Sequence, residues 1–147
     1  MNADPVQRRL RDALYSEAML LADEARSYFE EAGRRDSAEL DPLARVVFSC
    51  ESLKVTTRVM HVVAWLLARK AVDAGEIAPV EARLAAHRLG DAPVTEGSAM
   101  AALPERARVL IDASVDLHRR VERLDRASDE AAESPARMMQ ERLARTF

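Results

Sequence analysis

Apolar residues recur every three or four positions along three long stretches of the chain, the spacing of an amphipathic α-helix. The stretches cover residues 5–33, 42–75 and 103–124. Strong helix formers dominate the composition, and there are only 4 glycines in 147 residues. The pattern therefore predicts an all-α protein with three long helices. Because such helices bury their apolar faces most simply against one another, we expect an antiparallel three-helix bundle.

Two of the predicted helices begin with a recognisable cap. Asp4–Pro5 and Asp41–Pro42 each place an N-cap residue before a proline at the first helical position. Gly33 is expected to end the first helix. The apolar seams predicted to form the core are Leu10, Leu14, Ala18, Leu21, Ala25 and Tyr28 in the first helix; Leu43, Val46, Cys50, Leu53, Thr57, Met60, Ala64, Leu67 and Ala71 in the second; and Leu103, Ala107, Leu110, Ser114, Leu117, Val121 and Leu124 in the third.

The second helix carries apolar residues beyond its seam. A helix that is apolar over so much of its circumference must be covered on more than one side. A homodimer would cover this additional apolar surface, because in a two-fold dimer the same surface of each chain is buried against the other. The residues predicted to form the dimer interface are Val55, Val59, Val62, Val63 and Leu66.

Polar residues and the single tryptophan also lie in this apolar helix. Glu51, Arg58 and Trp65 are spaced by seven, so they share one face, and Lys54 and His61 flank them. In one interpretation these five residues form a boundary strip whose long side chains cover apolar surface and pair with one another. In the other they form a partner-binding surface, because Trp and Arg are enriched at binding hot spots. Both interpretations hold if the interface is the dimer itself.

The C-terminal part of the chain differs from the bundle. We predict a helical bundle domain over residues 1–127 and a flexible tail over 128–147, broken at Ser134–Pro135. Apolar residues in a flexible end are costly to leave exposed, so docking on a partner would explain them. An alternative is that the tail folds back on its own bundle. The candidate partner-binding residues of the tail are Met138, Met139, Leu143 and Phe147.

No motif in the sequence indicates catalysis or a cofactor. His61, His87 and His118 are scattered, and their surroundings do not match the spacing of zinc or di-iron sites. Cys50 lies on an apolar seam, where a structural thiol is more common than a nucleophile. The sequence has no phosphate-binding glycine loop. We therefore predict no enzyme activity, no metal and no other cofactor.

Charge and hydropathy limit the partners. The net charge is −3, and the arginine run at residues 119–123 is mixed with acids, so a solvated face is favoured over nucleic-acid binding. No apolar run approaches the roughly 20 residues of a membrane span. The single cysteine excludes an internal disulfide, and the N-terminus lacks the apolar core of a signal peptide. We therefore expect a cytoplasmic protein with protein partners.

The segment "ESLKVTTRVMHVVAWLLARKAVDAGE", residues 51–76, resembles the regulator of CtrA degradation family, an RcdA-like bacterial family of unknown function. The resemblance extends more weakly to residues 21–34 and 103–125. The matching residues are Glu51, Ser52, Thr56, Thr57, Arg58, Met60, Trp65, Leu66, Leu67, Ala71, Val72, Gly75 and Glu76. The resemblance implies a three-helix bundle, usually dimeric, with a flexible C-terminal tail.

The same resemblance implies a function. Members of the family are expected to be non-catalytic adaptors in cell-cycle proteolysis. They work with other adaptors, namely response-regulator-like and cyclic-di-GMP-binding proteins, to deliver client substrates to the ClpXP protease. An adaptor raises the effective concentration of two partners and needs surfaces, with no active site. The alternative is a structural or regulatory helical dimer that binds a single protein partner and has no connection with proteolysis.

Overall fold

The computed structural model describes residues 5–132 and 134–146. All regular structure in these residues is helical, and they contain no strand, which confirms the all-α prediction. The helices are α1 (Pro5–Glu30), α2 (Ala32–Ala38), α3 (Pro42–Asp73), α4 (Gly97–Met100), α5 (Glu105–Ala132) and α6 (Pro135–Thr146), with two 3₁₀ turns at Glu81–Arg83 and Ala85–His87.

The predicted start of the second long helix is confirmed. The Asp41 side chain accepts a hydrogen bond from the Ala44 amide at 2.9 Å, and Pro42 occupies the first turn of α3. Asp4, the other predicted cap, lies outside the described residues. Gly33 does not end a helix as predicted. It is buried inside the short helix α2, which follows α1 after a break at Glu31.

The core lies between α1, α3 and α5, which contact one another. The predicted seams of the first and third helices are confirmed, except that Leu10 is largely exposed and Leu124 is only partly buried. Tyr28, Phe29 and Phe48 form an edge-to-face aromatic cluster where α1 meets α3. The buried apolar residues of the core are Leu14, Ala18, Leu21, Ala25, Tyr28, Phe48, Val55, Val59, Val62, Trp65, Leu66, Leu103, Ala107, Leu110, Ile111, Leu117 and Val121.

The relative direction of the long helices follows from contacts between them. Arg11, near the start of α1, pairs with Asp73 at the end of α3, so these two helices are antiparallel. Helix α1 is also antiparallel to α5, since the Arg106 guanidinium lies over the Tyr28 ring near the start of α5 and the end of α1.

Helices α3 and α5, in contrast, are parallel. Arg58 contacts Ser114, and seven residues later Trp65 contacts Asp125. The predicted antiparallel arrangement of consecutive long helices is therefore wrong for this pair. The reason is the connection over residues 74–104, which returns along the length of α3 before α5 begins.

Residues 85–96 of this connection form what we call the strap. It begins with the second 3₁₀ turn and continues from Arg88 to Glu96 without regular secondary structure. Its contacts step backwards along α3: the His87 carbonyl meets Arg69, and the Val94 carbonyl meets Lys54. The strap therefore runs antiparallel to α3 and also contacts α5, through Gly90 and His118.

The predicted domain boundary at residue 127 falls inside a helix. Helix α5 continues to Ala132, and α6 begins at Pro135, after the break predicted at Ser134–Pro135. The described part of the predicted tail is therefore helical. Its flexibility stays a prediction.

Replacing Gly33 with alanine is expected to destabilise the protein. An added Cβ at this position would lie 2.7 Å from the Tyr28 carbonyl oxygen and 3.2 Å from the Phe48 ring. The backbone carbonyl and the packed aromatic ring cannot move away without disturbing their own contacts. The steric overlap in Gly33→Ala should therefore lower the free energy of unfolding by about 1–3 kcal/mol. Urea unfolding followed by circular dichroism measures this change.

Gly97→Ala is the matched control for that substitution. A Cβ at Gly97 meets nothing within 4 Å. This variant should unfold within about 1 kcal/mol of the unmodified protein. Equal stability of the two alanine variants would contradict the close approach of α2 to the aromatic cluster.

Candidate functional site

The predicted strip of polar residues on the second helix lies at the strap. Glu51, Arg58 and Trp65 are buried, with 1–3% of their surface exposed, whereas Lys54 and His61 are half-buried. Buried side chains cannot contact a partner while the strap is in place, so the prediction of an exposed partner-binding strip is wrong for these three. The other interpretation, side chains that pair with one another, holds for Glu51 and Lys54 alone, because Arg58 and Trp65 bond to residues of the strap and α5.

Arg58 is the centre of this polar network. Its guanidinium donates to the Pro93 carbonyl at 2.8 Å, to Thr95 Oγ1 at 2.6 Å and to Ser114 Oγ at 3.2 Å. It thereby links α3 to both the strap and α5. Burial lowers the pKa of Arg58, because desolvation disfavours the charge, and the nearby carboxylate of Glu51 opposes the change.

Glu51 is the acid of the same network. Its carboxylate accepts from Lys54 Nζ at 2.9 Å and from Thr95 Oγ1 at 2.5 Å. Lys54 Nζ also donates to the Val94 carbonyl at 2.8 Å. Thr95 of the strap is therefore held between an acid and a base of α3, which fixes the end of the strap next to the start of α4.

A second polar cluster holds the other end of the strap. Asp125 of α5 accepts from Trp65 Nε1 at 2.8 Å and from Arg88 Nε at 2.8 Å. Burial raises the pKa of Asp125, but hydrogen bonds from Arg88 and Trp65 and the charges of Arg88 and Arg69 outweigh it, so the net direction is downward. Burial also lowers the pKa of Arg69, whose guanidinium lies over the Trp65 ring.

Sequence reasoning did not identify Arg69, Arg88, Thr95, Ser114 and Asp125 as members of this network. One signal was present: Ser114 is the only polar residue on the otherwise apolar seam predicted for the third helix. A buried hydroxyl needs hydrogen-bond partners, and here Ser114 Oγ donates to the Ile111 carbonyl and accepts from the buried Arg58. The strap residues gave no signal of this kind.

The residues predicted to form the dimer interface lie inside the protomer. Val55, Val59, Val62 and Leu66 are 0–5% exposed and belong to the core between α1, α3 and α5. The prediction is wrong for these four, because their surface is already covered within one chain. Val63 is half-buried and packs against the same core.

The seam predicted as the core of the second helix is instead its exposed face. Its large apolar residues are 47–75% exposed, and Cys50 is exposed as well. The exposed apolar side chains at this heptad spacing are Leu43, Val46, Leu53, Met60 and Leu67. From residue 43 to residue 71 the seam is about 42 Å long at 1.5 Å per residue. A contiguous apolar surface of this length is typical of an interaction site.

Helix α6 offers a second exposed apolar surface. Met138, Met139 and Leu143 are 53–66% exposed. Phe147, the fourth candidate residue of the tail, lies outside the described residues. The structure thus leaves the three described tail candidates accessible, and it places them on a helix that follows the bundle.

Within the described residues, no His, Cys, Asp and Glu side chains gather in a group of three or more that would suit a metal ion. The same residues include no helix with the length and apolar character needed to cross a membrane.

The sequence and the fold are both similar to those of known proteins. A family model described as "Protein of unknown function (DUF1465)" matches residues 2–147. The chain belongs to this family. Among solved structures, the crystal structure of RcdA from Caulobacter crescentus CB15 is similar, with a TM-score of 0.66 and 36% sequence identity. The match covers 81% of this chain and 90% of that chain. No curated protein matches the sequence.

Membership of the DUF1465 family, together with the likeness to RcdA, confirms the resemblance recognised in residues 51–76. In this DUF1465 protein that segment has two physical roles. Its buried face, with Glu51, Arg58 and Trp65, holds the strap, and its exposed face, with Leu53 and Met60, forms an apolar seam. The residues that carry the resemblance therefore include both structural and accessible positions.

Proposed function

We propose that this protein is a non-catalytic adaptor in regulated proteolysis, which delivers client proteins to the ClpXP protease in cell-cycle control. The observation that carries the proposal is the 36% identity to RcdA over 81% of the chain. The family to which RcdA gives its name regulates the degradation of CtrA, as the resemblance implies. The adaptor acts in the cytoplasm with protein partners, among them other adaptors, clients and the protease.

The arrangement of exposed surfaces supports this proposal. An adaptor holds two partners at once and so raises their effective concentration, which requires separate surfaces. The chain offers two: the seam of α3, with Leu53 and Met60, and the exposed face of α6, with Met139 and Leu143. Neither surface includes the polar network, which the strap covers.

We assign the α3 seam to homodimer formation. Its positions alternate between small residues and large ones over four heptads, so two copies can interlock along one seam. No position of the seam is charged, which suits a surface buried against an identical copy. The small residues are Cys50, Thr57, Ala64 and Ala71, and the large ones are Val46, Leu53, Met60 and Leu67.

We assign client or protease binding to α6. An apolar face on a terminal helix beyond the bundle can reach a partner without disturbing the dimer. The alternative function, a helical dimer that binds a single partner unrelated to proteolysis, would use the same surfaces. Only partner identity separates the two functions.

Deletion of residues 135–147 tests the assignment of α6. Proteins that co-purify with the full chain are identified first, and their degradation by purified ClpXP is then measured with each form of the adaptor. We expect the truncated form to remain folded and to lose at least about tenfold in delivery, equivalent to 1.4 kcal/mol of binding.

Three results would contradict parts of this proposal. Delivery at full speed by a folded, truncated protein removes α6 from the mechanism. A sharp fall in thermal stability shows that α6 packs on the bundle. If ClpXP neither binds the full chain nor degrades any co-purifying protein faster in its presence, the proteolysis function is wrong and the single-partner alternative is favoured.

A further inference from the structure

The strap is held through its side chains at both ends and through its main chain between them. The carbonyl oxygens of Gly90, Pro93 and Val94 accept hydrogen bonds from His118, Arg58 and Lys54, each at 2.8 Å. Because a carbonyl only accepts, His118 Nε2 is the donor in its pair. Donors from α3 and α5 that recognise carbonyl groups can hold any extended segment, since every residue has one.

Beyond the pairing of Arg88 with Asp125, two strap residues add selectivity. Thr95 Oγ1 donates to Glu51 and accepts from Arg58. Gly90 lies against the His61 ring so closely that an added Cβ would be 2.7 Å from Nδ1. The groove therefore prefers an extended segment with glycine at one position and a hydroxyl residue five positions later.

The strap does not satisfy the groove completely. Among the described residues, Arg58 Nε, His61 Nδ1 and Arg69 Nε are buried without a hydrogen-bond partner. These three atoms belong to side chains that contact the strap, and each such atom costs about 1–3 kcal/mol. The built-in segment is thus an imperfect ligand for the groove in which it lies.

The strap also contributes little to the apolar core. Val94 is 76% exposed, and Leu89 is the strap residue that packs against the core cluster. Opening it would mainly exchange hydrogen bonds to charged side chains for hydrogen bonds to water. Segments of this kind open at lower free energy than the helices around them.

We propose that the groove between α3 and α5 is a binding site for an extended peptide segment of a protein partner, and that the strap occupies it as an internal competitor. The recognised segment has the pattern Gly-x-x-x-x-Thr or Gly-x-x-x-x-Ser, as in residues 90–95. This proposal extends the proposed protein-binding function by assigning a third surface that becomes accessible only when the strap opens.

A synthetic peptide with the strap sequence, residues 85–96, tests the proposal without any protease, so its failure would leave the proposed function untouched. The protein variant is Gly90→Ala, in which the added methyl group weakens the strap's own fit. We expect a fluorescein-labelled peptide that keeps glycine to bind this variant at least about tenfold more tightly than it binds the unmodified protein, by fluorescence anisotropy.

Two controls define the site. Gly97→Ala, where the added Cβ meets nothing within 4 Å, should bind the peptide no better than the unmodified protein. A peptide with Thr95→Val should bind Gly90→Ala about tenfold more weakly, because it loses the hydroxyl between Glu51 and Arg58. Equal binding of the two peptides, or no binding to a folded Gly90→Ala protein, would overturn the proposal.

Limited proteolysis of the unmodified protein provides an independent test if Gly90→Ala does not fold. While the strap is closed, the Arg88 guanidinium is held by Asp125 and Asp129 and is not free to enter the specificity pocket of trypsin. Cleavage after Arg88 should therefore follow strap opening and be at least about a hundredfold faster than global unfolding permits, equivalent to about 2.7 kcal/mol between local and global opening. The fluorescence of Trp65, the single tryptophan, should change with the same opening, because Asp125 accepts from both Trp65 and Arg88. Cleavage after Arg88 no faster than global unfolding would show that the groove is never available to a partner.

Discussion

Leu53→Asp is expected to convert the protein from a homodimer into a folded monomer. Leu53 lies at the middle of the exposed α3 seam and is 68% exposed in the protomer. In a two-fold dimer the substitution places two unpaired carboxylates in an apolar interface, at a cost of several kcal/mol. Within one chain the same carboxylate faces water. Dissociation should therefore increase by at least about a hundredfold, while the protomer melts nearly as before.

Light scattering at micromolar concentration measures the mass, and circular dichroism measures the fold. Val109→Asp is the matched control, because Val109 on α5 is 60% exposed and lies off the seam, so this variant should remain dimeric. Val59→Asp is the opposite control: Val59 is only 5% exposed, and its substitution should unfold the protomer. A monomeric unmodified protein, or a dimeric Leu53→Asp variant, would contradict the assignment of the seam.

Local sequence information was sufficient for the presence of the three long helices and for two of their three buried faces. The Asp41–Pro42 start is correct because a cap and a first-turn proline act within a few residues. The buried faces of α1 and α5 are correct because each helix has one apolar stripe and a polar remainder, so the choice of face is unambiguous.

The buried face of α3 could not be chosen in the same way. This helix is apolar over most of its circumference, so the apolar periodicity is compatible with two different buried faces. The regular, uncharged stripe with Leu53 and Met60 is the better coiled-coil seam, yet the stripe with Glu51 and Arg58 is buried. The second choice is stable only because Thr95 and Pro93, about 35 residues away along the chain, provide hydrogen-bond partners.

Helix direction was missed for a related reason. A short connection would force α3 and α5 to be antiparallel, but residues 74–104 are long enough to return along the bundle. The course of a connection of this length depends on which residues of the helices it contacts. Here the binding residues, Arg69, His118 and Arg58, are distributed over two helices and form a site only in the folded chain.

Asp125→Asn is expected to destabilise the protein by about 2–3 kcal/mol at neutral pH. The substitution keeps the shape of the side chain but removes the charge that Arg88 and Arg69 face, and this leaves the half-buried Arg69 without its acid. Asp116→Asn is the matched control on the same helix. Asp116 forms an exposed pair with Arg120, so its substitution should change stability by less than about 1 kcal/mol.

The pH dependence of the same variant separates a charge effect from a packing effect. Because the pKa of Asp125 is lowered below its usual 3.8 in the folded state, its carboxylate contributes stability above pH 3.8, and this contribution is lost as the pH falls through the folded-state pKa. The difference in urea unfolding between the unmodified protein and Asp125→Asn should thus be constant above about pH 5 and shrink below pH 3.8. A difference that stays constant into the acid range would mean that Asp125 acts through shape alone, and that the strap is not held by its charge.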